Sequence, residues 1–230
     1  MQAAIVTVGD ELLNGDTANT NATWLASRLH DRGVTVERAT TVPDRVADVA
    51  RVVNEYRAEY DAVLVTGGVG PTHDDVTLEG VAAAFGRGLE RNGEAHDWLT
   101  GEGGYAAGDL DEGTTALPAG ARPLNNEVGV APGCVLDSVY VFPGVPAEME
   151  AMFESVADEF EGQITHTETV ETPEPESTLL DRLAAVREEF DVTVGSYPGD
   201  AVRVRLTAGE AGEAERAAAW LRERVEPVED

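Results

Sequence analysis

The sequence predicts an α/β fold, a mostly parallel sheet flanked by helices, followed by a smaller β-α-β-β-α module. Three observations predict it. Short apolar runs alternate with amphipathic segments between residues 3 and 85, the signature of βαβ units. Two of those runs end in glycine-bearing loops, VGDEL and TGGVGPTHDDVT, as parallel strands do where they meet a ligand. Beyond residue 163 the order changes to a strand, an amphipathic stretch, a hairpin and a second amphipathic stretch. The chain therefore divides, on this reading, into residues 1–163 and 164–230.

The elements follow in order. Ala3 to Val8 is an apolar strand. Thr20 to Arg32 carries Trp24, Leu25 and Leu29, with Ala22 and Ala26, at helical spacing and stops at Gly33. Val34 to Val42 alternates as a strand. Asp44 to Tyr60 forms a second helix with Val46, Val49, Val53 and Tyr56 on one face. Ala62 to Val65 is a fully apolar strand, and a third helix covers roughly Leu78 to Phe85. From Gly86 to Asn126 the pattern weakens, and GEGGYAAGDLDEG reads as a surface loop or flap. Strands return at Val135–Leu136 and Ser138–Phe142. In PGVPAEMEAMFESV, Pro146 sits where a first-turn proline is favoured, and Met149, Met152, Phe153 and Val156 form an apolar face. In the tail, ITHTETVET alternates, and VTVGSYPGDAVRVRLTA reads as a hairpin turned at Pro198-Gly199-Asp200.

Composition narrows the function classes. The chain has 230 residues, 42% of them apolar, enough for a real core. No run of 18 apolar residues exists, so no membrane span is expected. The opening MQAAIVTVGDELL lacks the basic flank of a secretion signal, and a single cysteine fits a reducing cytoplasm. The formal net charge is −28, and all 16 basic residues are arginine. Such acidity disfavours nucleic acid as a partner. It points to a high-salt cytoplasm, where screening makes the self-repulsion tolerable.

The glycine loop, Gly67, Gly68 and Gly70, reads either as a tight strand-to-helix turn or as a phosphate cradle before a helix starting near Thr77. Asp74 and Asp75 are either metal or water ligands or helix caps, with Asp75 as the inward group. Asp44, after Pro43, divides the same way. Asp10 and Glu11 end a buried strand, and Asn19 and Asn21 either touch ligand or cap the first helix. Asn126, Gly129, Pro132 and Gly133 shape a loop or wall a ligand. Pro143-Gly144-Val145-Pro146 offers free amides before a helix. His73 reads as surface and Cys134 as core. Arg203 and Arg205 share a strand face and either grip a phosphate or pair with acids.

TVGDELLNGDTANTNATWLASRL, TGGVGPTHDDVT, NEVGVAPG and FPGVPAEM together resemble the successive signatures of the molybdopterin-binding (MoaB/Mog-type) domain, in the form found in CinA-like competence/damage-inducible proteins. The resemblance covers most of residues 1–160, and the tail resembles the small module that follows in that family. It implies a three-layer α/β/α fold and a site for a pterin or a nucleotide phosphoanhydride. It implies metal-dependent hydrolysis of ADP-ribose-type pyrophosphates for the CinA-like form, and adenylylation of molybdopterin for the Mog form. The deamidase domain of longer relatives is not expected, since the chain ends at Asp230.

Carried onto this sequence, the resemblance makes Asp75, Asp44 and Asp10 the catalytic candidates, with Asp75 and Asp10 holding a divalent ion, magnesium or cobalt. Potassium is a further candidate ion. Nucleotide or pterin would be held by Gly9, Glu11, Asn19, Gly67, Gly68, Gly70, Pro71, Thr72, Asp74, Thr77, Asn126, Gly129, Ala131, Pro132, Gly133, Pro143, Gly144 and Pro146. Asp74 stands where the Mog loop carries arginine, which disfavours adenylylation, because an aspartate is no phosphate clamp. A non-catalytic binding module is the remaining alternative. The resemblance also implies self-association, expected here as a dimer or trimer.

Overall fold

In the computed structural model the chain forms two compact units, Met1–Gly162 and Gln163–Asp230. The structure describes every residue except Pro71, His73, Ala107, Asp109, Glu112, Glu229 and Asp230. The expectations for Pro71 and His73 lie outside the described residues.

The first unit begins with β1 (Gln2–Val8), a short helix α1 (Asp10–Leu13), α2 (Thr20–Asp31), β2 (Thr35–Val42), α3 (Val46–Glu59), β3 (Ala62–Gly67) and α4 (Thr77–Ala84). It continues through β4 (Leu89–Arg91), α5 (Gly93–Thr100), β5 (Ala116–Pro118), β6 (Arg122–Leu124), β7 (Gly133–Leu136), β8 (Val139–Pro143) and α6 (Pro146–Val156). The main sheet runs in the order β2-β1-β3-β8-β7-β6. Pairs β2/β1, β1/β3 and β3/β8 are parallel, whereas β8/β7 and β7/β6 are antiparallel.

Strands β1, β3, β7 and β8 are buried on both faces, which is why they read as continuous apolar runs, whereas the edge strand β2 is largely exposed. Alternate residues feed two cores. Ala4, Val6, Val63, Val65 and Val141 pack with Val49, Val53 and Tyr56 of α3 and Val81 of α4. Ile5, Leu64 and Phe142 pack with Leu25 and Leu29 of α2 and Met149 and Phe153 of α6. Phe153 stacks on Phe160 at 5.3 Å, and Trp24 meets it edge-on at 5.4 Å. Each fully buried side chain of this size contributes about 1.5–3 kcal/mol. The α/β/α layering follows from these two cores.

Three local expectations change. The segment DELL is a helical turn, not the end of a strand. The second helix begins at Val46 with Arg45 at its cap position, so Asp44 does not cap it. The region read as weak, 86–126, holds β4, α5, β5 and β6, with Ala95, Leu99 and Leu117 buried. Cys134 is buried in the core beside Leu136 and Val141, and burial pushes its thiol up to about 12.

The second unit comprises β9 (His166–Thr172), α7 (Glu176–Glu189), β10 (Thr193–Tyr197), β11 (Val202–Ala208) and α8 (Ala211–Arg222). Its antiparallel sheet is ordered β10-β11-β9. Val170, Val194, Val204 and Leu206 from one sheet face pack on Leu179, Leu183 and Val186 of α7 and Ala217, Ala218 and Leu221 of α8.

Candidate functional site

Strands β1, β2, β3 and β8 are parallel, so the loops that follow them open on one edge. The register of β6 and β7 brings a fifth loop there. Leu124 pairs with Gly133, and Cys134 with Val141, so residues 125–132 turn beside the end of β8. The edge thus gathers Gly9–Glu11, Asp44, the described residues of the 67–77 loop, Asn126–Gly133 and Pro143–Pro146.

The first turn of α2 binds this edge together. Asn19 caps the helix by accepting from the Ala22 N–H at 3.1 Å, one of its two expected roles. Its Nδ2 also donates to Thr7 of β1 at 2.9 Å and to Thr41 of β2 at 3.3 Å. Asn21 is not a cap. Its Nδ2 donates to Thr66 of β3 at 3.1 Å and to the Gly144 carbonyl after β8 at 2.9 Å. Thr66 in turn donates to the Pro143 carbonyl at 2.7 Å. Two asparagines on one helical turn therefore hold the ends of four strands. The sequence signal was the TANTNAT run with a threonine near the end of each of β1, β2 and β3; Asn21 was read as a ligand contact or a cap, and Thr7, Thr41 and Thr66 were missing from the expected site.

These residues enclose a cleft of about 100 Å³, lined in part by Thr7, Glu11, Asn19, Asn21, Gly67 and Gly144. It suits a phosphate-sized group rather than a whole nucleotide, since ligand pockets usually exceed ~300 Å³. The glycines allow backbones to meet there. A Cβ on Gly67 would lie 2.7 Å from Val8 Cβ and 2.5 Å from Thr77 Oγ1, and one on Gly144 would lie 3.3 Å from the Gly67 carbonyl carbon. Of the five buried side-chain polar atoms without a protein partner among the described residues, one, Asn21 Oδ1, belongs to the lining of this cleft, and Thr77 Oγ1 lies buried behind Gly67. Buried polar atoms are normally satisfied, so Asn21 Oδ1 suits a bound group.

The acidic candidates occupy different stations. Asp44 is half-buried, and its Oδ2 accepts the Asp10 N–H at 2.7 Å, tying the loop after β2 to the start of α1. Glu11 is exposed, with its carboxylate folded back against Gly9. Asp75 is partly buried and turns into its own loop, where it accepts from the Thr72 hydroxyl and from the Thr72 N–H at 3.3 Å, lying over Gly68 and Gly70. Asp74 is exposed. Helix α4 has no side-chain cap, so neither aspartate caps it. Among the described residues, no three acidic, histidine or cysteine side chains are grouped to hold a metal ion.

The fifth loop is organised internally. Asn126 is 2% exposed. Its Nδ2 donates to the Ala131 carbonyl at 2.9 Å and to Glu148 Oε2 at 2.7 Å. Its Oδ1 accepts from Val128 N–H at 3.2 Å and Gly129 N–H at 2.7 Å. All four of its hydrogen-bonding positions are used within the protein. Gly129 leaves room for the Glu148 carboxylate, and Gly133 is pressed between Met152 and the Val141 carbonyl. Pro132 and Pro143 are buried, Ala131 is half-buried, and Pro146 is exposed at the start of α6.

Comparison with known proteins follows this geometry. Residues 4–162 match the family model described as a probable molybdopterin binding domain. A protein of Archaeoglobus fulgidus is 41% identical over 201 residues, 86% of each chain. A CinA-like protein of Citrifermentans bemidjiense is 36% identical over 241 residues, which is 98% of this chain but 58% of that one. The crystal structure of the protein CinA from Thermoplasma acidophilum is similar at a TM-score of 0.63 and 34% identity, over 69% of this chain and 97% of that one. The chain belongs to the molybdopterin-binding-domain family, and within it to the CinA-like proteins.

Proposed function

We propose that the shared loop edge hydrolyses the pyrophosphate of an ADP-ribose-like nucleotide with a divalent ion. The observation that carries this reading is the charge of the edge. Its cleft is lined by glycine backbone, threonine and asparagine, with Glu11 inside it and Asp10, Asp44 and Asp75 on the neighbouring loops. No arginine lines it among the described residues. A pyrophosphate would meet net negative charge there, so a cation must accompany it. Magnesium is commonly held by one or two carboxylates plus substrate phosphates, not by a protein cage. The dispersed aspartates suit that habit.

A magnesium or cobalt ion supplies charge neutralisation at the phosphate oxygens and activation of water. The chain's own residues do the rest. The Gly67 and Gly144 backbones admit a phosphate close to the sheet edge, and the unpartnered Asn21 Oδ1 accepts from a water or hydroxyl bound beside it. Asp44 keeps the Asp10 loop in register. Water adds to one phosphorus, the bridging oxygen leaves with the other phosphate, and a nearby carboxylate, Asp75 or Asp10, takes the proton. The products are AMP and ribose 5-phosphate. A high-salt cytoplasm and a dimeric or trimeric assembly complete the reading, the latter checked by light scattering.

One observation favours a second reading, a binding module without catalysis. The Asp75 carboxylate is engaged by Thr72 within its own loop, which is what a loop clasp would do. The test is AMP release from ADP-ribose in potassium chloride, with and without magnesium or cobalt. Metal-dependent release that falls at least about a hundredfold in Asp75→Asn supports hydrolysis. Saturable nucleotide or pterin binding with no AMP supports the binding module and sinks the hydrolase for this substrate.

A further inference from the structure

The second unit carries a feature that the first unit's chemistry does not use. Its sheet is covered by α7 and α8 on one face only. Alternation and register give the other face as Thr167, Thr169 and Glu171 on β9, Arg203, Arg205 and Thr207 on β11, and Thr193, Gly195 and Tyr197 on β10. No aliphatic side chain stands on it, so it is not an apolar docking face.

Arg203 and Arg205 are exposed and neighbours along the central strand. Every other arginine of this unit is engaged. Arg182 pairs with Glu174, Arg216 with Glu213 and Arg222 with Glu168. Arg187 donates to the Val194 carbonyl at 3.0 Å, and Arg224 lies over Trp220 at 4.0 Å. Arg203 and Arg205 make neither an ion pair nor a side-chain hydrogen bond among the described residues, in a chain with 44 acidic residues against 16 arginines. Glu171 stands directly across from Arg203, yet no ion pair forms. Two adjacent guanidiniums on one strand face repel each other, and an anion between them removes that repulsion.

Tyr197 completes the arrangement. It pairs across the ladder with Arg203, and its ring bends back over Gly195, the residue opposite Arg205. A Cβ at Gly195 would lie 3.0 Å from the Tyr197 hydroxyl. The absence of a side chain at 195 therefore lets the hydroxyl swing toward Arg205. Thr169, Tyr197, Arg203 and Arg205 line a cavity of about 230 Å³, below the usual range for a drug-sized ligand. We propose that this face is an oxyanion site, in which Arg203, Arg205 and the Tyr197 hydroxyl hold the phosphoryl group of a small phosphate monoester. Guanidiniums favour phosphate through paired N–H donors, and the phenol supplies one more.

The test is a titration of the full-length chain with inorganic phosphate at fixed ionic strength, followed residue by residue through backbone amide NMR shifts. Saturable shifts at Gly195, Tyr197, Arg203 and Arg205 are expected. In Arg203→Gln/Arg205→Gln they should need roughly tenfold more phosphate, while shifts in the 67–77 loop persist. This readout keeps the site separate from the first unit's edge. Gly195→Val, which blocks the ring, should also weaken the binding. The proposal is overturned if shifts at these residues do not saturate, or survive in the double variant. It is overturned if acetate at matched ionic strength acts at the same midpoint, which would make the site a general carboxylate contact. It is also overturned if the same amides broaden with protein concentration alone, which would make the face a contact between copies.

Discussion

Replacing Asn126 by aspartate separates a loop organiser from a ligand contact. The side chain is buried and donates to the Ala131 carbonyl and to Glu148 Oε2 at 2.7 Å. Aspartate keeps both acceptor bonds, from Val128 and Gly129, but loses both donors, at about 1 kcal/mol each. It also sets a second carboxylate against Glu148. Two charges about 4 Å apart cost about 4 kcal/mol at an effective dielectric near 20, capped by the similar cost of holding one carboxyl protonated at pH 7. The sum is about 6 kcal/mol at pH 7, a large part of a typical domain's stability. The pair's affinity for a proton is raised in the folded state, so the sign is fixed. Protonation favours the folded form, and the deficit shrinks to about 3 kcal/mol near pH 5. Asn126→Ala, with no new charge, should lose about 3 kcal/mol at both pH values, because water can reach the amides of Val128 and Gly129. Urea unfolding in potassium chloride at both pH values measures these differences. If Asn126→Asp loses under 1 kcal/mol, shows no pH dependence and weakens nucleotide binding tenfold, the assignment is wrong and Asn126 faces the ligand.

Further outcomes follow from other sites. Gly133→Ala drives a methyl into Met152 and the Val141 carbonyl and should cost about 1–3 kcal/mol in urea unfolding; an unchanged midpoint would contradict the close β7–β8 approach. Glu174 is held down from 4.5 to about 2, first by the Arg182 hydrogen bond and then by the Glu226 N–H. Its contribution is therefore complete above about pH 4.5 and fades as pH falls toward 2, so Glu174→Gln should flatten the acid limb of thermal melts and leave the alkaline limb alone. Cys134, with its thiol pushed up to about 12 by burial, should resist iodoacetamide at pH 8 in the native protein and react fully in urea; fast native labelling would argue against its place in the core.

The legible parts of the fold were those with a period. β1, α2, β2, α3 and β3 announce themselves because each is long enough to show alternation or a helical stripe. β4, β5 and β6 are three residues each, too short to carry a period, and they owe their place to partners distant in sequence. The four-residue helix Asp10–Leu13 was hidden for the same reason. The site was legible at its glycines, which signal close backbone approach wherever they stand. It was less legible at its polar side chains. Asp44 follows a proline at a helix start, a local pattern for a cap, yet it reaches another loop. Asn21 looked like a second cap and instead spans to residues 66 and 144. Such roles depend on which strands become neighbours, and that is set by the whole sheet.

The centre of the sheet has a consequence for how the protein is made. β3 and β8 lie side by side, but Val63 pairs with Val139, 76 positions later. Closing a loop of that length costs about 4 kcal/mol in chain entropy before any contact repays it. During synthesis, β2, β1 and β3 can assemble early, leaving one flank of β3 as a bare, apolar ladder until β8 emerges. An unpaired edge of that kind recruits other strands. The nascent chain is thus most exposed to mispairing while residues 68–138 are being made, and the loop edge becomes whole only when Gly144 arrives.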